Sequence, residues 1–148
     1  MHDRTLGIIE TLIAVCRDGA EGFELASAEV KSSVLQSLFR GYSLQRGRFA
    51  GDLEAAASAL GKSGTAANRG MGERTWMKAA DASSRDEHAV IEECERGECA
   101  AASAYAMALD ELDMPSGVRE LISRQGADVV GAHGEIQSLL TRFLPPAT

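Results

Sequence analysis

The chain has 148 residues, the size of one domain with a sizeable buried core, and we predict a single domain over residues 1–148. Hydrophobic residues make up 45% of the chain and aromatic residues only 5%, a composition that favours helices over strands. The net charge of −7, with no basic cluster, argues against nucleic acid and anionic membranes as partners.

Two heptad patterns fill the first half of the chain. The first predicts a helix from about Asp3 to Val30. Its seam, spaced alternately by four and three residues, is Ile9, Ile13, Cys16, Ala20, Phe23, Ser27 and Val30. The second predicts a helix from about Val34 to Leu60, with a capping box of Ser33 and Gln36. Its seam is Leu35, Leu38, Tyr42, Gln45, Phe49, Leu53, Ala56 and Leu60.

The middle of the chain is a loop rich in glycine and serine over residues 61–72, followed by a predicted short helix from about Glu73 to Ala82. The Gly-Lys-Ser sequence at 61–63 is not expected to bind phosphate. A phosphate loop needs a preceding strand and an earlier glycine, where this chain has a helix and Ala56.

Two further heptad patterns fill the second half. A third helix is predicted after Ser84, which forms a capping box with Glu87. Its seam is Ile91, Cys94, Glu98, Ala101, Tyr105, Ala108 and Leu112. Pro115 forces a turn. The fourth helix then has the seam Val118, Ile122, Gln125, Val129, Ala132, Ile136, Leu139 and Phe143.

Four long amphipathic helices predict an all-α fold, an antiparallel four-helix bundle. The first and second helices are joined by a short turn, as are the third and fourth, so each pair is a hairpin. The middle connection is long enough to return along the bundle, and it carries the predicted short helix. We therefore predict a ferritin-like bundle with a long crossover, whose second and third helices run in the same direction.

The breaks in the four apolar seams fall at one height of the predicted bundle. We expect a polar layer there, consisting of Glu21, Gln45, Arg48, Glu98, Gln125 and Asp128. Its expected role is structural, because buried polar groups that satisfy one another fix the register of helices.

Ferritin-like di-iron proteins place their metals at this height, using two glutamates and two Glu-x-x-His motifs. This chain has Gln45-Arg46-Gly47-Arg48 and Gln125-Gly126-Ala127-Asp128 where those motifs belong. We therefore expect no metal cofactor. The alternative is an iron or manganese protein with a nonstandard site, whose candidate ligands are Glu21, Glu98, Asp128 and His133.

The three cysteines are an odd number, which argues against a disulfide framework and for a reducing cytoplasm. No stretch reaches the ~20 apolar residues of a membrane span, and the apolar run near the N-terminus lacks the features of a signal peptide. Cys94 is expected in the core. Cys99 is expected to be exposed, where it can oxidise or link two chains.

Four segments carry a resemblance to a known family: DGAEGFELA (18–26), QRGRFAGDL (45–53), ECERGECAAASAY (93–105) and AHGEI (132–136). They resemble a bacterial family of ferritin-like four-helix-bundle proteins of unknown function, over about residues 5–143. The resemblance implies a ferritin-like fold and a small cytoplasmic protein, and it supplies no accepted activity. Gln45 stands where the family pattern has glutamate, which weakens a metal role further.

These observations predict a non-enzymatic bundle that acts through association. The expected partner is a second copy of the chain, with a dimer as the expected assembly, or another protein. The alternative is the metal-binding or redox protein with the nonstandard carboxylate and histidine site.

Overall fold

The computed structural model describes residues 3–61 and 86–142. They form four helices: α1 (Asp3–Glu29), α2 (Ser33–Ala59), α3 (Glu87–Leu109) and α4 (Ser116–Arg142). These residues contain no strand. The prediction of an all-α four-helix bundle is therefore confirmed. The predicted crossover and its short helix lie outside the described residues, and so does Phe143.

The turn between α1 and α2 is closed by side chains at the start of α2. The N-cap is Ser32, whose hydroxyl accepts a hydrogen bond from the Leu35 amide at 3.3 Å. The predicted cap, Ser33, is instead the first helical residue. Gln36 donates from its side chain to the Val30 carbonyl at 2.9 Å, so it fastens α2 to the end of α1.

The start of α3 is tied to this same turn. Asp86 caps α3 by accepting from the Ala89 amide at 2.8 Å. The carboxylate of Glu87 accepts hydrogen bonds from the Lys31 amide and, at 2.8 Å, from the Ser32 amide. One glutamate therefore supplies acceptors for backbone donors that precede α2 and holds three helices together at one end of the bundle.

The directions of the helices follow from contacts at the two ends. Arg4 at the start of α1 pairs with Glu111 after α3, at 3.3 Å, whereas Glu87 at the start of α3 contacts the residues after α1. Thus α1 and α3 are antiparallel. Because α1 and α2 form a hairpin, α2 and α3 run in the same direction. Helix α1 packs against α2 and α3, and α4 packs against α3 and, less extensively, α2. Helices α2 and α3 are therefore diagonal across the bundle.

The apolar core is divided into two clusters along the bundle axis. The cluster near the α3–α4 turn includes Ile9, Leu12, Ile13, Cys16, Ala50, Leu53, Tyr105, Ile122 and Val129. The cluster near the α1–α2 turn includes Phe23, Val30, Leu35, Phe39, Val90, Ile91, Cys94, Ile136 and Leu139. The gap between them is the height at which the sequence predicts polar side chains.

The buried face of α2 differs from the predicted seam by one residue along most of its length. The structure buries Leu35, Phe39, Arg46, Ala50, Leu53 and Ala57. Phe39 and Arg46 face Phe23 of α1, because α1 is the more closely packed neighbour of α2. The predicted seam residues Tyr42 and Phe49 are half-buried. Tyr42 donates to Glu135 of α4, and its ring also lies 5.2 Å from that of Phe23. Leu112 is also misplaced by the prediction: α3 ends at Leu109, and Leu112 is 87% exposed.

Candidate functional site

A buried ion pair occupies the gap between the two apolar clusters. Arg46 of α2 reaches across the bundle to Glu98 of α3, and each guanidinium Nη atom contacts one carboxylate oxygen, with Nη2 to Oε2 at 2.7 Å. The two side chains are only 2% and 1% exposed. A bidentate contact of this kind, with two parallel charge-assisted hydrogen bonds, is a strong form of arginine–carboxylate pairing. The diagonal of the bundle is thus bridged by one charge-assisted contact.

The neighbours of Arg46 explain how a guanidinium fits inside a helical bundle. Gly19 of α1 lies against its stem, where an added Cβ would make an ordinary van der Waals contact with Arg46 Cγ at 3.5 Å. The rings of Phe23 and Phe49 lie 5.5 and 5.9 Å from Arg46 Cζ, which is the range of cation–π contact. Gln45 accepts a hydrogen bond from Arg46 Nε at 3.2 Å. The guanidinium is therefore held from several sides.

A hydrogen-bonded network of Cys16, Tyr105 and Gln125 lies beside the ion pair, toward the α3–α4 turn. The Tyr105 hydroxyl donates to Gln125 Oε1 at 2.6 Å, and Gln125 Nε2 donates to the Phe49 carbonyl at 3.3 Å. Cys16 Sγ lies 3.1 Å from the Tyr105 oxygen. Because the only hydroxyl proton of Tyr105 points to Gln125, the Cys16 thiol is the donor to Tyr105.

The two ionisable groups of this hydrogen-bonded network, Cys16 and Tyr105, are held neutral. Burial raises the pKa of the Cys16 thiol to about 11, against a smaller opposing effect of the Tyr105 hydrogen bond. Burial, together with the adjacent Cys16, raises the pKa of the Tyr105 phenol well above its usual value. Neither group is available as a nucleophile or a base near neutral pH.

The predicted polar layer is brought together only in part. Glu98 and Gln125 are buried at this height, and Gln45 is half-buried beside Arg46. The structure corrects the other members of the layer, since Glu21, Arg48 and Asp128 are exposed. The buried cation is Arg46 rather than Arg48, because the inward face of α2 is displaced by one residue at this height.

A di-metal centre does not fit the residues at mid-bundle. Such a centre needs several carboxylates that point at shared cations. Glu98 is a fully buried carboxylate at this height, and Arg46 contacts both of its oxygens. A metal ion there would face the fixed positive charge of the guanidinium at close range.

The alternative ligand set predicted from the sequence is also dispersed. Glu21 and Asp128 lie on the surface, Glu98 is paired with Arg46, and His133 points to another residue. That residue is Glu95 of α3, whose Oε2 lies 2.8 Å from His133 Nε2.

One group of three metal-binding side chains does lie together in the described part of the chain. It consists of Glu95, Cys99 and His133, whose ligand atoms are all within 4.8 Å of one another. The group lies on the outer side of the α3–α4 pair, away from the Arg46–Glu98 pair. The sequence predicted that Cys99 is exposed and that His133 is a candidate ligand, but it did not combine these two residues with Glu95.

The chain was compared with models of known families. Residues 4–111 match the model of a family described as a domain of unknown function, DUF2383. A comparison with curated proteins found no match. Among the described residues, the four helices lack the combination of length and apolar content that a membrane span requires.

Replacing Arg46 with leucine is expected to reduce the free energy of unfolding by about 3–5 kcal/mol, because Glu98 is then buried without its partner. Arg48→Leu is the matched control, two residues away on the exposed side of α2, and should change stability by less than about 0.5 kcal/mol. The double variant R46L/E98L should recover much of the loss. Urea unfolding measures all three, and equal effects of R46L and R48L would contradict the buried pair.

Metal-free, reduced protein is expected to show one fast-reacting thiol with Ellman's reagent at pH 8. Cys99 is exposed, whereas Cys94 and Cys16 are buried. A thiol of pKa about 11 is about one-thousandth thiolate at that pH. Cys99→Ser should remove the fast phase, and denaturant should make the two remaining thiols reactive. Fast reaction of Cys16 in the folded C99S protein would contradict its burial.

Proposed function

The chain belongs to the DUF2383 family, a domain of unknown function, and we propose that it is a non-enzymatic, ferritin-like bundle that acts by association. The observation that carries this proposal is the Arg46–Glu98 pair, which lies at mid-bundle where a ferritin-like protein holds its metals. Because the guanidinium contacts both oxygens of Glu98, this position has a structural role in our proposal rather than a metal-binding one. The proposed setting is the bacterial cytoplasm.

The ferritin-like part of the proposal is supported by helix direction. In the single-crossover bundle the second and third helices are parallel, and neighbouring helices are antiparallel. The contacts of Arg4 with Glu111 and of Glu87 with Ser32 give α2 and α3 the same direction. Helix α4 is antiparallel to α2, because Tyr42 contacts Glu135 and Gln125 contacts Phe49.

The association part is supported by apolar side chains on the described surface. Met107 is 72% exposed and Leu112 is 87% exposed. They lie five positions apart, at the end of α3 and in the turn that follows, so one end of the bundle presents both. Burying them against another chain removes apolar surface from water. The proposed occupant is a second copy of the chain, bound so that the same end of each protomer contributes to a two-fold interface.

We expect the protein to sediment as a dimer at micromolar concentration and the double variant M107S/L112S to sediment as a monomer. The matched control is Val34→Ser, since Val34 is also 72% exposed but lies at the opposite end of the bundle. Analytical ultracentrifugation with a concentration series distinguishes the species. A monomeric parent protein would contradict self-association, and a dimeric M107S/L112S would contradict this interface.

Protein purified without chelator is expected to contain far less than one iron or manganese ion per chain. The reason is the competition of the Arg46 guanidinium for both oxygens of Glu98. Elemental analysis by mass spectrometry measures the content, and the E98Q variant serves as the control. Stoichiometric iron or manganese that E98Q lacks would favour the alternative, a metal-binding or redox protein centred on Glu98.

A further inference from the structure

The outer side of the α3–α4 pair holds three side chains with the chemistry of metal ligands. Glu95 and Cys99 are four residues apart on α3, which places them on the same face of the helix in successive turns. His133 comes from α4 and places Nε2 2.8 Å from Glu95 Oε2. Two packed helices therefore position a carboxylate, a thiol and an imidazole around one point.

Their separation suits a single ion. Around a tetrahedral zinc ion, with bonds of about 2.0–2.3 Å, ligand atoms lie about 3.5 Å from one another. The three ligand atoms here lie within 4.8 Å of one another. Small rotations of the exposed Cys99 side chain and the half-buried Glu95 side chain would close the difference. The Glu95 carboxylate accepts a hydrogen bond from His133, so the two side chains face each other.

The donor atoms select the class of metal. A thiolate and an imidazole favour borderline-soft ions, and the carboxylate is compatible with zinc, whereas magnesium and calcium prefer sites made of oxygen alone. Three protein ligands leave the fourth tetrahedral position open. The side chains of His133 and Glu95 are 20% and 27% exposed, so both the ion and a water molecule have access from solvent.

A second carboxylate–histidine pair, which lies entirely on α3, shows what is particular to the group of Glu95, Cys99 and His133. His88 and Glu92 lie 3.8 Å apart with i,i+4 spacing on a single helix. In the described part of the chain, no third cysteine, histidine or carboxylate has a ligand atom within 4.8 Å of both. The thiol of Cys99 and the contribution of a second helix are therefore specific to the Glu95 group, and the His88 pair provides an internal control.

We propose that Glu95, Cys99 and His133 bind one zinc-class divalent ion, with solvent in the fourth position. The bound ion joins α3 to α4 on the outside of the bundle. This site shares no residue with the mid-bundle ion pair. The test of this site is therefore independent of the tests of the proposed association and of the argument against a di-metal centre.

The test is a titration of the reduced, metal-free full-length protein with Co²⁺ and with Zn²⁺. Cobalt is expected to bind at one ion per chain, with a thiolate-to-cobalt charge-transfer band and the visible bands of tetrahedral coordination, and zinc should displace it. Zinc should also raise the melting temperature, because it binds the folded state. Each of C99S, H133Q and E95Q should weaken binding by more than about tenfold, since even outer-shell changes have effects of that size.

The matched control is the double variant H88Q/E92Q, which removes an imidazole and a carboxylate from the same helix and should leave the titration unchanged. Circular dichroism of each variant without metal verifies that the helices are retained. The proposal is overturned if cobalt binding lacks the thiolate band, if C99S, H133Q or E95Q binds as tightly as the parent protein, or if H88Q/E92Q abolishes binding.

Discussion

The organisation of this bundle depends on the ion pair between Arg46 and Glu98. The two residues belong to diagonal helices, so their contact crosses the axis and separates the core into two apolar clusters. Burying two charges is unfavourable unless each finds a well-oriented partner. Here the pairing is bidentate, and Phe23 and Phe49 lie against the guanidinium. Sliding one helix along another would separate these groups and leave a buried charge without its partner.

The same pair determines where chemistry is available. At mid-bundle the carboxylate is neutralised, and the neighbouring Cys16 and Tyr105 are kept protonated by burial. On the outside of α3 and α4, by contrast, Glu95 and His133 are partly accessible to solvent. A four-helix bundle can in this way have an ion pair at mid-bundle and, on its surface, the three side chains that we propose as a metal site.

The sequence was sufficient for much of the fold, because heptad spacing and turn residues are local signals. It predicted four helices and the burial of Glu98 and Gln125. It was not sufficient to predict how α2 is rotated about its own axis, and therefore which of its faces is buried. A series through Gln45 and a series through Arg46 both satisfy the spacing, and the choice between them depends on packing against α1. The group of Glu95, Cys99 and His133 was not predicted for a related reason. The contact of His133 with α3 depends on how α3 and α4 are rotated against each other.

The most direct test of this account is an NMR measurement of the arginine side chains in ¹⁵N-labelled protein. A guanidinium held by two oxygens in a dry interior exchanges its protons slowly and rotates slowly. We predict resolved Arg46 Nη–H signals at pH 7 that disappear in E98Q, while the exposed Arg48 gives no such signals in either protein. Arg46 signals that exchange as fast as those of Arg48, or that are unaffected by E98Q, would contradict the buried pair.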